Sequence, residues 1–184
     1  MRFLISLYLL FSILFSIEYI ILYDQILNNQ ALTISDLYTN QVNDEFKLET
    51  AIYSNEYIDD NYLDNNFADK IKSFITDEIN NNSDLKYILI LGDENSFPPI
   101  YMSNNIPSDD FYAQTNNDIN TPPQLSIGRI PSSDINEITQ FVNKVENFLL
   151  NPTIGAWRDK VMLIADDEHK SGENEACEIK HTIN

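Results

Sequence analysis

The sequence predicts an α/β protein with an open, mostly parallel sheet and helices on both faces. Two observations carry that expectation. The apolar runs at 17–23, 87–91 and 160–165 are short and nearly continuous, as strands buried on both faces are. The stretches between strands are amphipathic with a helical period, and parallel strands need such crossovers. At 184 residues, 43% of them hydrophobic, the chain has room for one domain with a packed core.

Taken in order, residues 17–23 read as a first buried strand ending at Asp24. From 27 to 42, Ala31, Ile34, Leu37, Tyr38 and Val42 recur at near-helical spacing and predict a helix. Residues 47–53 alternate as a second strand does. Phe67, Ile71, Phe74, Ile75 and Ile79 share one helix face, with Asp69, Lys70, Lys72 and Asp77 outside it. Asn80-Asn-Asn-Ser83 stops that helix. Tyr87-Ile-Leu-Ile-Leu91 is the third strand and runs into Gly92-Asp93-Glu94.

From 95 to about 123 the chain is rich in Pro, Asn, Asp and Ser, and a long irregular segment is predicted. Its aromatics Phe97, Tyr101, Phe111 and Tyr112 predict that it packs down. A short strand follows at 125–129. Pro131-Ser-Ser-Asp134 opens a helix with Ser133 or Asp134 as N-cap. Its buried face is Ile135, Ile138, Phe141, Val142, Val145, Phe148 and Leu149, and Asn151-Pro152 ends it. Residues 160–165 read as another buried strand, leading into Asp166-Asp167-Glu168-His169, and 174–184 begin a further helix.

At the amino terminus, Met1-Arg2 precedes an apolar run that ends at Phe15-Ser16, the layout of a secretory signal peptide. Leu14 stands where a small residue is preferred at a cleavage site. Glu18 interrupts the run before the roughly 20 apolar residues that a membrane span needs. An uncleaved anchor and a buried element of the fold are the competing readings. The predicted division is a leader over 1–16 and one α/β domain over 17–184, with a secreted, periplasmic or cell-surface location.

Charge and composition exclude several functions. Lys plus Arg number 11 against 29 Asp plus Glu, a net charge of −18. Such a chain does not bind nucleic acid by neutralising phosphates, nor an anionic membrane surface. A single cysteine, Cys177, rules out an intramolecular disulfide and a Cys-based zinc site. His169 and His181 are the only histidines. Cys177 sits among acids, which raise a thiol's pKa and weaken it as a nucleophile. His181 lies four residues on, without an orienting partner in the sequence, so Cys177 reads as a small packing residue and neither histidine as a metal ligand.

In open parallel sheets ligands bind beyond the carboxyl ends of the strands. The sequence places acid there repeatedly: Asp24, Asp93-Glu94 and Asp166-Asp167-Glu168, with Asp109, Asp110 and Asp118 in the long segment. Acids at such positions also simply cap helices. Several clusters on one edge point to a functional edge. Carboxylates with Asn side chains suit a hard cation such as calcium, for which Asp109, Asp110, Asp166 and Asp167 are the candidate ligands, although no EF-hand spacing is present.

Several segments, in order, carry a family resemblance: Tyr87-Ile-Leu-Ile-Leu-Gly-Asp93, Pro107-Ser-Asp-Asp-Phe-Tyr112, Ser126-Ile-Gly-Arg-Ile-Pro131, Val142-Asn-Lys-Val-Glu146, Trp157-Arg158 and Val161-Met-Leu-Ile-Ala-Asp-Asp-Glu168. Together they resemble the gingipain-type cysteine peptidases, a family that includes the sortase-like peptidase of the type IX secretion system. The resemblance implies a caspase-like α/β fold, a secreted or surface protein, a peptide or protein substrate and a calcium-stabilised domain. It implies catalysis by a cysteine thiolate assisted by a histidine. The family carries that histidine in a Gly-His-Gly turn and the cysteine on the following strand, and neither motif occurs in this sequence. Glu168 matches the glutamate that orients the catalytic histidine, and Glu178 falls near the acid that faces a basic substrate side chain in arginine-specific members. The resemblance therefore predicts an incomplete peptidase domain, inactive alone and dependent on the missing part of the same domain, with apolar sheet edges left open.

Two other functions are compatible with parts of the sequence. Residues 161–168 also resemble the opening strand of a receiver signalling domain, which needs a further Asp-ended strand and a later Lys and conflicts with an export signal. A non-catalytic acidic module that binds calcium or a partner protein needs no Cys-His pair at all.

Overall fold

The computed structural model describes residues 16–101, 106–114, 123–155 and 160–162. Strand β1 (Tyr19–Tyr23) leads through a single tight turn into α1 (Asn28–Asp36), which continues as one wider turn of π-helix over Leu37–Gln41. β2 (Thr50–Ser54) runs directly into α2 (Asn55–Asn61). Then come α3 (Phe67–Asn81), β3 (Tyr87–Leu91), the short strands β4 (Ile100–Tyr101) and β5 (Pro107–Ser108), and the one-turn helix α4 (Asp110–Ala113). β6 (Ser126–Ile130) and α5 (Ile135–Leu150) complete this unit.

The main sheet has the order β2-β1-β3-β6. All its pairs are parallel, with Ile20 opposite Ala51 and Ile88, and Ile88 opposite Ile127. Alternation along the strands sorts side chains onto two faces. Ile20, Leu22, Ile88 and Ile90 pack on one side with Ala68, Ile71, Phe74 and Ile75 of α3. Tyr19, Ile21, Tyr23 and Leu91 pack on the other with Ala31 and Ile34 of α1 and Ile138 and Val142 of α5. β1 is buried at every position because it is central and covered on both faces. Each large apolar side chain buried here contributes on the order of 1.5–3 kcal/mol.

Helix starts are fixed by side chains. Asn66 accepts from the Asp69 amide at 2.9 Å and begins α3; Asp134 accepts from the amides of Asn136 (2.8 Å) and Glu137 (3.1 Å) and begins α5. Helix α2 has no counterpart in the sequence reading. It buries only Ile58, so it shows no apolar period, and its N-cap Ser54, which accepts from the Tyr57 amide at 3.1 Å, is also the last residue of β2.

In the segment after β3, described at 95–101 and 106–114, Phe97, Phe111 and Tyr112 pack down as expected. Phe97 and Tyr112 are fully buried, and Tyr112 donates its hydroxyl to the Pro98 carbonyl. Phe111 packs beneath the Lys72 ammonium, 4.8 Å from its ring centroid. Tyr101 departs from the expectation and is exposed; it lies on the two-residue strand β4, whose only partner among the described residues is β5.

Residues 152–184 form a separate compact unit. Within it, Lys160, Val161 and Met162 are not in a strand, contrary to expectation; they have no ladder partner among the described residues, and Val161 and Met162 are exposed. The rest of that predicted strand, the leader and the terminal helix lie outside the described residues. Among the described residues no helix is long and apolar enough to cross a membrane.

Candidate functional site at the carboxyl ends of the strands

The order in which strands are added reverses between β1 and β3: β1 leads outward to β2, and β3 leads the other way to β6. Such a switch point opens a crevice at the strand ends. Asp24 follows β1, Asp93 follows β3 and Ser133 follows β6, so all three arrive at that edge.

A polar network fills the crevice. Asp24 accepts through Oδ1 from the Ile26 amide at 3.2 Å. Its Oδ2 accepts from the Ser96 hydroxyl and, at 3.4 Å, from the Ser133 hydroxyl. Ser96 Oγ lies 3.4 Å from both Asp93 Oδ1 and Ser133 Oγ. Asp93 accepts from the amides of Asn95 (2.9 Å) and Ser96 (3.1 Å). Partial burial opposes ionisation of Asp93, but the hydrogen bonds from Ser96, Asn95 and Ser133 outweigh it and hold the carboxyl below the usual range. Gly92 makes the turn possible: its φ is +156°, and a Cβ there would lie 3.0 Å from Phe97 Cδ2 and 3.2 Å from Ser96 Cβ.

Next to this network, Arg129 of β6 reaches across the edge. Its Nε and Nη2 donate to the two oxygens of Asp109 at 2.8 and 2.7 Å. Its Nη1 donates to the carbonyls of Gly92 (3.1 Å) and Asp93 (3.2 Å). The arginine and aspartate side chains are only 13% and 19% exposed. The pair forms the floor of a cleft of about 350 Å³ walled by Glu94, Pro99, Tyr101 and Pro107. A larger cleft of about 620 Å³ lies at the opposite ends of the strands, among Tyr19, Tyr38, Phe46, Tyr87 and Gly128. Burial, with Tyr38 beside it, pushes the Tyr19 phenol well above its ordinary range.

Of the residues singled out in the sequence, Asp109 is held by Arg129. Asp110 is exposed at the start of α4, its amide donating to Ser108 Oγ at 3.1 Å. Among the described residues no three His, Cys, Asp or Glu side chains come together as a metal ion requires. Asp166, Asp167, Glu168, His169, Cys177, Glu178 and His181 lie outside the described residues. The sequence reading missed Ser96, Ser133 and Arg129 as parts of the edge. The available signal was their place, just beyond or at the end of strands whose neighbouring acids were noticed.

The fold is that of an α/β protein with a mostly parallel sheet and an acidic edge at its strand ends. The chain belongs to peptidase family C25, whose model matches residues 14–184. No curated protein matches it. Among solved structures it is similar to gingipain R (RgpB), described as an Arg-specific cysteine proteinase, with 19% identity and a TM-score of 0.56 over 72% of this chain and 28% of that one. A complex of the pro- and mature domains of Porphyromonas gingivalis RgpB gives 19% identity and a TM-score of 0.55 over 71% and 29%. Dimeric latent PorU from Porphyromonas gingivalis gives 14% and 0.59 over 78% and 16%. These are likenesses of fold, and the chain spans less than a third of each of those chains.

Proposed function

We propose that this chain is part of a secreted or cell-surface cysteine endopeptidase of the gingipain type and supplies the scaffold on which the catalytic pair is placed. The observation that carries the reading is the family-model match over 14–184, which includes every strand end of the acidic edge. In the proposed chemistry a cysteine thiolate attacks the scissile carbonyl and a histidine manages the proton. Glu168 orients that histidine and Glu178 faces a basic substrate side chain. The histidine and cysteine motifs of the family do not occur among these residues, so the chain alone does not hydrolyse peptides. Its partner is the remainder of the peptidase domain. Support for that comes from Phe141 and Phe148, which the sequence places on the buried face of α5 but which stand 41% and 58% exposed. The leader over 1–16 directs export.

The test is hydrolysis of Arg- and Lys-containing peptides by the purified chain, and by the same chain joined to sequence bearing the histidine and cysteine motifs. The reading expects cleavage only from the joined polypeptide, abolished by iodoacetamide. Cleavage resistant to alkylation would count against it.

A further inference from the structure

Two of the segments that resemble the family, Pro107-Ser-Asp-Asp-Phe-Tyr112 and Ser126-Ile-Gly-Arg-Ile-Pro131, meet in one ion pair. We propose that Arg129 is the positioning residue of the strand-end cleft, setting the separation between the turn after β3 and the segment that begins at Asp109. Its bearing on substrate rests on the peptidase reading; the geometry does not.

The guanidinium joins two stretches of chain that no strand ladder connects. Two of its nitrogens take both oxygens of Asp109, and the third takes the carbonyls of Gly92 and Asp93. A planar fork can do this and a point charge cannot, so lysine is not an equivalent. Exposed pairs contribute little, but this one is largely shielded and bidentate, the condition under which such a pair fixes geometry. The far end of the Asp109 segment is held independently. Tyr112 is buried, and Lys72 Nζ donates to the Phe111 carbonyl at 2.5 Å. Loss of Arg129 therefore frees Asp109, which lines the cleft, while Pro107–Ser108 stays paired with β4 and the far end stays docked. The two sequence segments are thus halves of one device.

Hydrogen exchange on the full 184-residue chain tests this. Arg129→Lys and Arg129→Ala should both quicken exchange at 92–97 and 109–110 by about tenfold or more, with β1 and α3 unchanged. Asp109→Asn, which keeps the shape of the pair, should act in the same direction and serves if Arg129→Ala does not fold. Guanidinium chloride at about 20 mM, far below denaturing levels, should slow the Arg129→Ala exchange where the same sodium chloride does not. The proposal is overturned if Arg129→Lys exchanges like the parent, if β1 and α3 quicken equally, or if guanidinium is no better than sodium. Absence of peptidase activity would bear on the peptidase reading alone and leave these results standing.

Discussion

Ser96 donates its hydroxyl to Asp24, a residue 72 positions earlier, and so ties the turn after β3 to the end of β1. That bond closes the switch-point crevice with protein groups, because Ser133 from the end of β6 reaches the same carboxylate oxygen. The edge is thereby a rigid platform built from the ends of three strands.

Breaking this tie should cost stability in a measurable way. Ser96→Ala removes the donor and leaves a partly buried carboxylate oxygen with one weak partner, for a loss of about 1–3 kcal/mol. Urea unfolding should show a lower midpoint with an unchanged slope. A midpoint within error of the parent would mean that water replaces Ser96 without cost.

Gly92, just past β3, and Gly128, within β6, should respond in opposite ways to alanine. Gly92→Ala meets Phe97 and Ser96 at an unusual φ, and should destabilise by about 1–3 kcal/mol. Gly128→Ala meets nothing within 4 Å and should be neutral or stabilising by up to about 1 kcal/mol. Thermal unfolding of both variants side by side checks the contrast.

Acid stability should carry two contributions of opposite sign. Asp93 has a folded-state carboxyl held below its usual value, so its contribution is present above the ordinary carboxylate range and is lost as pH falls through the folded value. Glu78 is raised, first by burial and then by Asp77, against hydrogen bonds from Tyr53 and Asn82 that lower it. The folded state therefore holds its proton more tightly, and that contribution is lost as pH rises through the carboxylate range. Asp93→Asn should flatten the acid limb of a stability-versus-pH curve, and Glu78→Gln should remove the decline just above it.

The parallel sheet was legible because continuous apolar runs such as Tyr87–Leu91 have no place except between two covered faces. The helix after β2 was not, since one buried isoleucine leaves no period to read. At the edge, Asp24 and Asp93 stood out by position after strands, while their partners Ser96 and Ser133 are ordinary loop residues until the fold brings them together. Asp109 reads in sequence as an oxygen donor for a cation; only the fold shows that an arginine 20 residues on takes both its oxygens.

The thiol of Cys177 offers a separate check on the catalytic assignment. If the catalytic cysteine is supplied by other sequence, Cys177→Ala should leave peptide hydrolysis by the joined polypeptide unchanged. A loss of activity comparable to that caused by iodoacetamide would place the nucleophile at Cys177 instead.

The most direct measurement of the central claim is peptide hydrolysis by the purified 184-residue chain itself. If the chain is the scaffold proposed above, it should release no product from Arg- or Lys-containing peptides above the buffer rate. Turnover that disappears on alkylation of this chain alone would contradict the account.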